Sequence, residues 1–124
     1  MAEVNISGPL FDGRARRVTH AMAEDIGDEI AQEGVDGVRD IVSGSARHHT
    51  GNYNRHVQTD RSAGDRTVTD SGIVYGPWLE GISRRNASTR FKGFAAFRRT
   101  GQRLQQRAVA IAEPVVARRI GGLR

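Results

Sequence analysis

The chain has 124 residues, with 19 Lys and Arg against 14 Asp and Glu, and no cysteine. That length makes one domain, read here as a single unit over residues 1–124, and the absence of cysteine excludes a disulfide framework, a thiolate metal site and a cysteine nucleophile. Leu, Ile, Val and Phe total 27 residues, enough for a thin core, and no apolar run approaches the roughly 18 residues that a membrane span needs.

Val4, Ile6 and Leu10 alternate with polar neighbours and predict a short first strand ending at Gly8-Pro9. Met1-Ala2-Glu3-Val4-Asn5 lacks the basic-then-apolar order of a signal peptide, so a cytoplasm is the expected compartment. Asp12-Gly13 offers a helix start. From there Ala15, Val18, Met22, Ile26 and Ile30 recur at three- and four-residue steps, continued by Val38, Ile41 and Val42. The spacing predicts a long amphipathic helix over 13–43, with Glu24, Asp25, Asp28, Glu29, Glu33 and Asp36 on a solvated face. Gly34 and Gly37 predict a bend or break, and Gly44-Ser45 a stop.

Between 52 and 75 the period changes. Tyr53, Arg55, Val57 and Thr59 alternate, as do Thr67 and Thr69 around Val68, with turn residues from Asp60 to Asp65. This predicts an antiparallel hairpin, followed by a short strand at Ile73-Val74-Tyr75 that Gly76-Pro77 interrupts. Residues 81–96 show no clean period and read as a long basic loop. A final helix over 95–118 has a seam of Phe97, Gly101, Leu104, Ala108, Ile111 and Val115, a second face of Arg99, Arg103 and Arg107, and a kink or end at Pro114. Residues 119–124 read as a loose tail. The expected fold is α+β: a small antiparallel sheet packed against a long N-terminal helix and a C-terminal helix.

Charge is unevenly spread. Residues 1–44 hold 4 arginines against 9 acids, residues 45–124 hold 15 basic side chains against 5 acids, and Gly81 to Ala112 contains no acid at all. Such blocks point to an assembly in which unlike faces meet, or to nucleic acid. Arg84, Arg85, Arg90, Lys92, Arg98, Arg99, Arg103 and Arg107 interleave with Phe91, Phe94 and Phe97, and no RRM, KH or helix-turn-helix signature accompanies them, so any such binding is expected to be non-specific.

Catalytic patterns are missing. His48, His49 and His56 cluster without an HExxH helix or a cysteine partner, and read as exposed polar turn residues. There is no phosphate-binding glycine loop and no GxSxG elbow. The expectation is a non-enzymatic protein without metal or cofactor.

The most distinctive string is Tyr75-Gly76-Pro77-Trp78-Leu79-Glu80-Gly81. With the opening Ile6-Ser7-Gly8-Pro9-Leu10-Phe11-Asp12-Gly13-Arg14-Ala15 and with Thr89-Arg90-Phe91-Lys92-Gly93-Phe94, it resembles the neck proteins of long-tailed phages. These are the tail-completion or head–tail connector proteins, and the likeness is greatest to versions from actinobacterial phages. The family often ends in an apolar segment rich in Pro and Phe, where this chain has a basic helix.

The resemblance implies a structural virion protein at the head–tail junction, present in the host cytoplasm during assembly. It would form a homo-oligomeric ring, hexameric by analogy, between the head connector and the tail tube. Head-connector and tail proteins would be its neighbours, with non-specific contact to DNA in the channel and none to membrane. A tail-terminator role and a non-specific nucleic-acid-binding protein are the alternatives. The interface residues expected on this reading are Trp78 and Leu79 as apolar anchors and Glu80 as a partner for an arginine of the next copy. Arg84, Arg85, Arg90 and Lys92 would meet an acidic surface or DNA, with Phe91 and Phe94 anchoring the loop.

Overall fold

The computed structural model describes Val4 and residues 13–45, 51–61 and 65–121. The elements, in order, are α1 (Arg14–Ser45), α2 (Asn52–His56), β1 (Gln58–Asp60), β2 (Thr67–Thr69), α3 (Gly76–Glu80), α4 (Arg84–Ser88) and α5 (Ala96–Ile120). The expected α+β architecture is present: a two-stranded antiparallel sheet lies beside two long helices. The register pairs Gln58 with Thr69, Thr59 with Val68 and Asp60 with Thr67. Apart from Val4, which lies in no regular element, the expected first strand falls outside the described residues. So do Asp12, the hairpin tip at 62–64 and the last three residues of the tail.

The α1 helix runs 32 residues without a break, against the bend expected at Gly34 and Gly37. Both glycines are packing positions. A Cβ on Gly34 would stand 2.9 Å from Val68 Cγ2, and one on Gly37 would stand 2.9 Å from Thr100 Cγ2. Close approach by neighbouring elements therefore offsets the roughly 1 kcal/mol that each glycine costs in a helix. Contacts of Gly37 with Thr100, Glu33 with Arg107 and Asp25 with Arg119 run in opposite directions along the two helices, so α1 and α5 are antiparallel.

The core lies at the C-terminal half of α1. Val35, Val38, Val42, Tyr53, Val57 and Ala96 form it, and Ile41, Val68, Ile73, Leu79 and Phe97 pack around them. Val38, Val57 and Val115 are completely enclosed, each burial contributing about 2 kcal/mol.

Several local expectations are corrected. Tyr53 and Arg55 belong to the short helix α2 rather than to a strand, because tertiary bonds to α1 fix this turn: Asn54 Nδ2 donates to Arg39 O and Ser43 Oγ, and Arg39 donates to Val57 O. Ile73-Val74-Tyr75 is a turn, since Asp70 Oδ1 accepts the Gly72 amide, Gly76 N donates to Ile73 O, and Pro77 opens a helix where its missing amide costs nothing. On α5 the expected seam holds at Phe97, Leu104, Ala108, Ile111 and Val115, but at one position it is displaced by a residue: Thr100 is buried and Gly101 exposed. The helix also passes through Pro114 to Ile120, because buried Val115 and the pairing of Arg118 and Arg119 with α1 hold that stretch in place.

Candidate functional site: the knot between α3 and α5

Residues 81–96, expected to be a long basic loop, contain α4 and fold into a knot. Ser83 begins α4 with a capping box: its Oγ accepts from Arg85 N, and Asn86 Oδ1 accepts from Ser83 N. Asn86 is 3% exposed and its amide nitrogen donates to both Trp78 O and Phe91 O at 3.0 Å. One buried side chain thus joins α3, α4 and the strap of residues 89–95. Lys92 Nζ closes the other end of α4 by donating to Asn86 O and Ala87 O, and Thr89 Oγ1 donates to Arg85 O.

Two glycines let the backbones cross. Gly81 has φ 99° and Gly93 φ 91°, in the left-handed region, and each lies where a Cβ would collide with the other's segment. Phe94 N donates to Leu79 O beside this crossing.

The rings close over it. Trp78 and Phe91 stand 4.9 Å apart between centroids, and Phe91 meets Phe94 edge-on at 5.0 Å. The Arg85 guanidinium lies 5.5 Å over the Trp78 ring. Leu79 faces inward to the core cluster.

Glu80 has a structural task. Its Oε1 accepts the Phe97 amide at 2.9 Å and its Oε2 the Arg98 amide at 3.0 Å. Ala95, the residue before α5, has φ 51° and offers no capping side chain, so a carboxylate far back in the chain satisfies the free amides and the positive end of the helix. Of the expected interface residues, Trp78, Phe91, Phe94, Leu79 and Glu80 are therefore all engaged within the chain, while Arg84, Arg85, Arg90 and Lys92 are exposed at its surface.

The acidic face of α1, expected to be solvated, is paired. Arg66 bonds Glu24 and, at 2.9 Å, Asp28, and its stem lies across Gly27. Arg107 grips Glu33 through two bonds of 2.9 and 2.7 Å, and Arg119 grips Asp25. Hydrogen bonds from Arg66 and Arg107 hold the Glu24 and Glu33 carboxyls below their ordinary range. At the edge of the core, burial chiefly, and then Asp70, push the Tyr53 hydroxyl well above its ordinary range, and that hydroxyl donates to Asp70 Oδ2.

Beside the knot a groove of about 530 Å³ runs between β2, α3 and α5. Val74 (96% exposed) and Ile82 (78%) stand on its rim. Among the described residues no group of His, Asp and Glu is arranged to hold a metal ion, and no helix is long and apolar enough to cross a membrane. His56 is exposed, with Nδ1 against Asn52 O, and His48 and His49 fall outside the described residues.

Sequence reasoning missed Asn86 and Thr100. The Ser83-x-x-Asn86 spacing was the available signal for the first, while only the position of Gly37 across the interface marks the second. No protein-family model matches the chain, and no curated protein or solved structure is significantly similar to it.

Proposed function

We propose that this chain is a structural protein of the head–tail neck of a long-tailed phage, assembling as a ring between the head connector and the tail tube. The observation that carries this reading is the way the resembling strings meet. Tyr75–Gly81 and Thr89–Phe94 resemble phage neck proteins separately in sequence. In the fold they are two halves of one knot, joined by the Trp78–Phe91 contact, the Phe94–Leu79 bond and Asn86. Two of the three resembling strings therefore belong to one packed unit.

Assembly has a physical motive. The core is small, and Val74 and Ile82 remain in solvent on the rim of an apolar groove. A neighbour seated there would bury them, and head-to-tail contacts of that kind close into rings when the rotation permits.

Light scattering after size exclusion, at low and high salt, tests the proposal. The expected result is a closed ring that persists in high salt, since apolar seams are weakly screened. A chain that stays monomeric alone and also fails to join purified head-connector or tail-tube proteins would overturn it.

A further inference from the structure

We propose that the end of the molecule formed by α4, the strap of residues 89–95 and the first turns of α5 is a contact surface for the phosphate backbone of double-stranded DNA. The chain uses its arginines in two ways. Arg61, Arg66, Arg107, Arg118 and Arg119 are bound to carboxylates of α1. At the knot, α4 presents Arg84 and Arg85, the strap presents Arg90 and Lys92, and α5 presents Arg98, Arg99 and Arg103. All of these are exposed, and none lies within ion-pairing distance of a carboxylate of the described residues. Among the described residues their side chains bond only to neutral groups: Arg85 lies on the Trp78 ring, Lys92 donates to carbonyls of α4, and Arg99 donates to Phe94 O.

Glu80 lies beside this surface, and both its oxygens are turned onto the amides that open α5. It offsets the helix end rather than the guanidinium groups outside. Internal pairing has therefore left a concentrated positive field at one end of the molecule, where a line of anions will bind with release of counterions.

The same geometry selects the partner. Binding of single strands relies on open aromatic faces for stacking bases, and here Trp78, Phe91 and Phe94 are closed on one another with Arg85 over the indole. A protein partner would want apolar anchors among the charges. Ile82 is the one large apolar side chain standing exposed between Gly76 and Ala108, and it lies on the groove with Val74. Charge without stacking faces or anchors fits the regular phosphate array of a duplex, read without regard to sequence.

This inference does not depend on ring assembly, because binding is measured per chain and a monomer serves as well as an oligomer. The test is anisotropy of a labelled duplex of about 30 base pairs, titrated with the full chain between about 50 and 200 mM salt. Each phosphate contact contributes about −0.9 to the slope of log affinity against log salt, so a slope steeper than about −3 is expected. Among the described residues, the side chains of Arg84, Arg90 and Arg98 make no hydrogen bond or ion pair. Their joint replacement (R84Q, R90Q, R98Q) is therefore expected to leave the melting temperature intact, weaken binding at least about tenfold and flatten the slope by about 2 to 3. Replacing Arg16, Arg17 and Arg55, exposed at other places, removes the same charge and is expected to change affinity less than about twofold. Equal losses in the two triple variants, no binding at the lowest salt, tighter binding of the single strand, or equal competition by polyglutamate would each overturn the proposal.

Discussion

The α1–α5 seam and the α3–α5 knot solve the problem of a small core differently. Along the seam, acids and arginines neutralise each other across two long helices, and the glycines of α1 admit Arg66, Val68 and Thr100. In the knot, a buried amide, two crossing glycines and a closed ring cluster hold short segments together while the cations stay outside. The lesson is that distributed charge pairs tolerate loss one at a time, whereas a single buried hub does not. Exposed pairs each contribute little, but an orphaned buried polar group costs its full desolvation.

The sharpest way to break this contrast is at the hub. Asn86→Ala strands Trp78 O and Phe91 O and removes the acceptor of Ser83 N, so a loss of about 3 kcal/mol is expected in urea unfolding. A cost as small as that of deleting one surface pair would show that the knot is not held by a hub.

Thr100 probes the seam with the opposite sign. Its Oγ1 is buried without a hydrogen-bond partner among the described residues, and it faces Gly37. Thr100→Val keeps the shape and removes the stranded hydroxyl, so a gain of about 1 kcal/mol is expected by thermal or urea unfolding. A loss of that size would mean that the hydroxyl is bonded in solution.

The smallest effects separate the regions by pH. Glu24 and Glu33 have folded pKa values below their ordinary 4.5. Their contribution is complete above that value and is lost as the pH falls through the folded pKa. Tyr53 is shifted upward, so its contribution is complete below the ordinary tyrosine value of about 10 and declines as the pH rises past it. Acid should therefore loosen the seam first and alkali the Tyr53–Asp70 edge of the core. Amide hydrogen exchange, resolved by region along a pH series, reads the order, and simultaneous loosening of both regions at both extremes would erase the distinction.

Periodicity made the two long helices legible because their burial repeats every three or four residues over many turns, and a one-residue error at Thr100 and Gly101 does not hide such a stripe. The extent of the sheet was less legible. Alternation through Tyr53 and Arg55 imitates a strand, yet the bonds from Asn54 and Arg39 make that turn helical. Of the candidate site, the residues were visible as an unusual string and a basic stretch, but their roles were not. Glu80 reads as an exposed carboxylate until α5 is brought to it, and Asn86 reads as a polar loop residue until Trp78 and Phe91 surround it.

By itself the sequence determined the α+β class, the antiparallel pairing and the segregation of charge, because these depend on local spacing and composition. Only the tertiary structure decided which charges cancel. Coulomb pairing and buried hydrogen bonds act between atoms a few ångströms apart, and Arg107 lies 74 positions from Glu33 along the chain, a distance that no local pattern records.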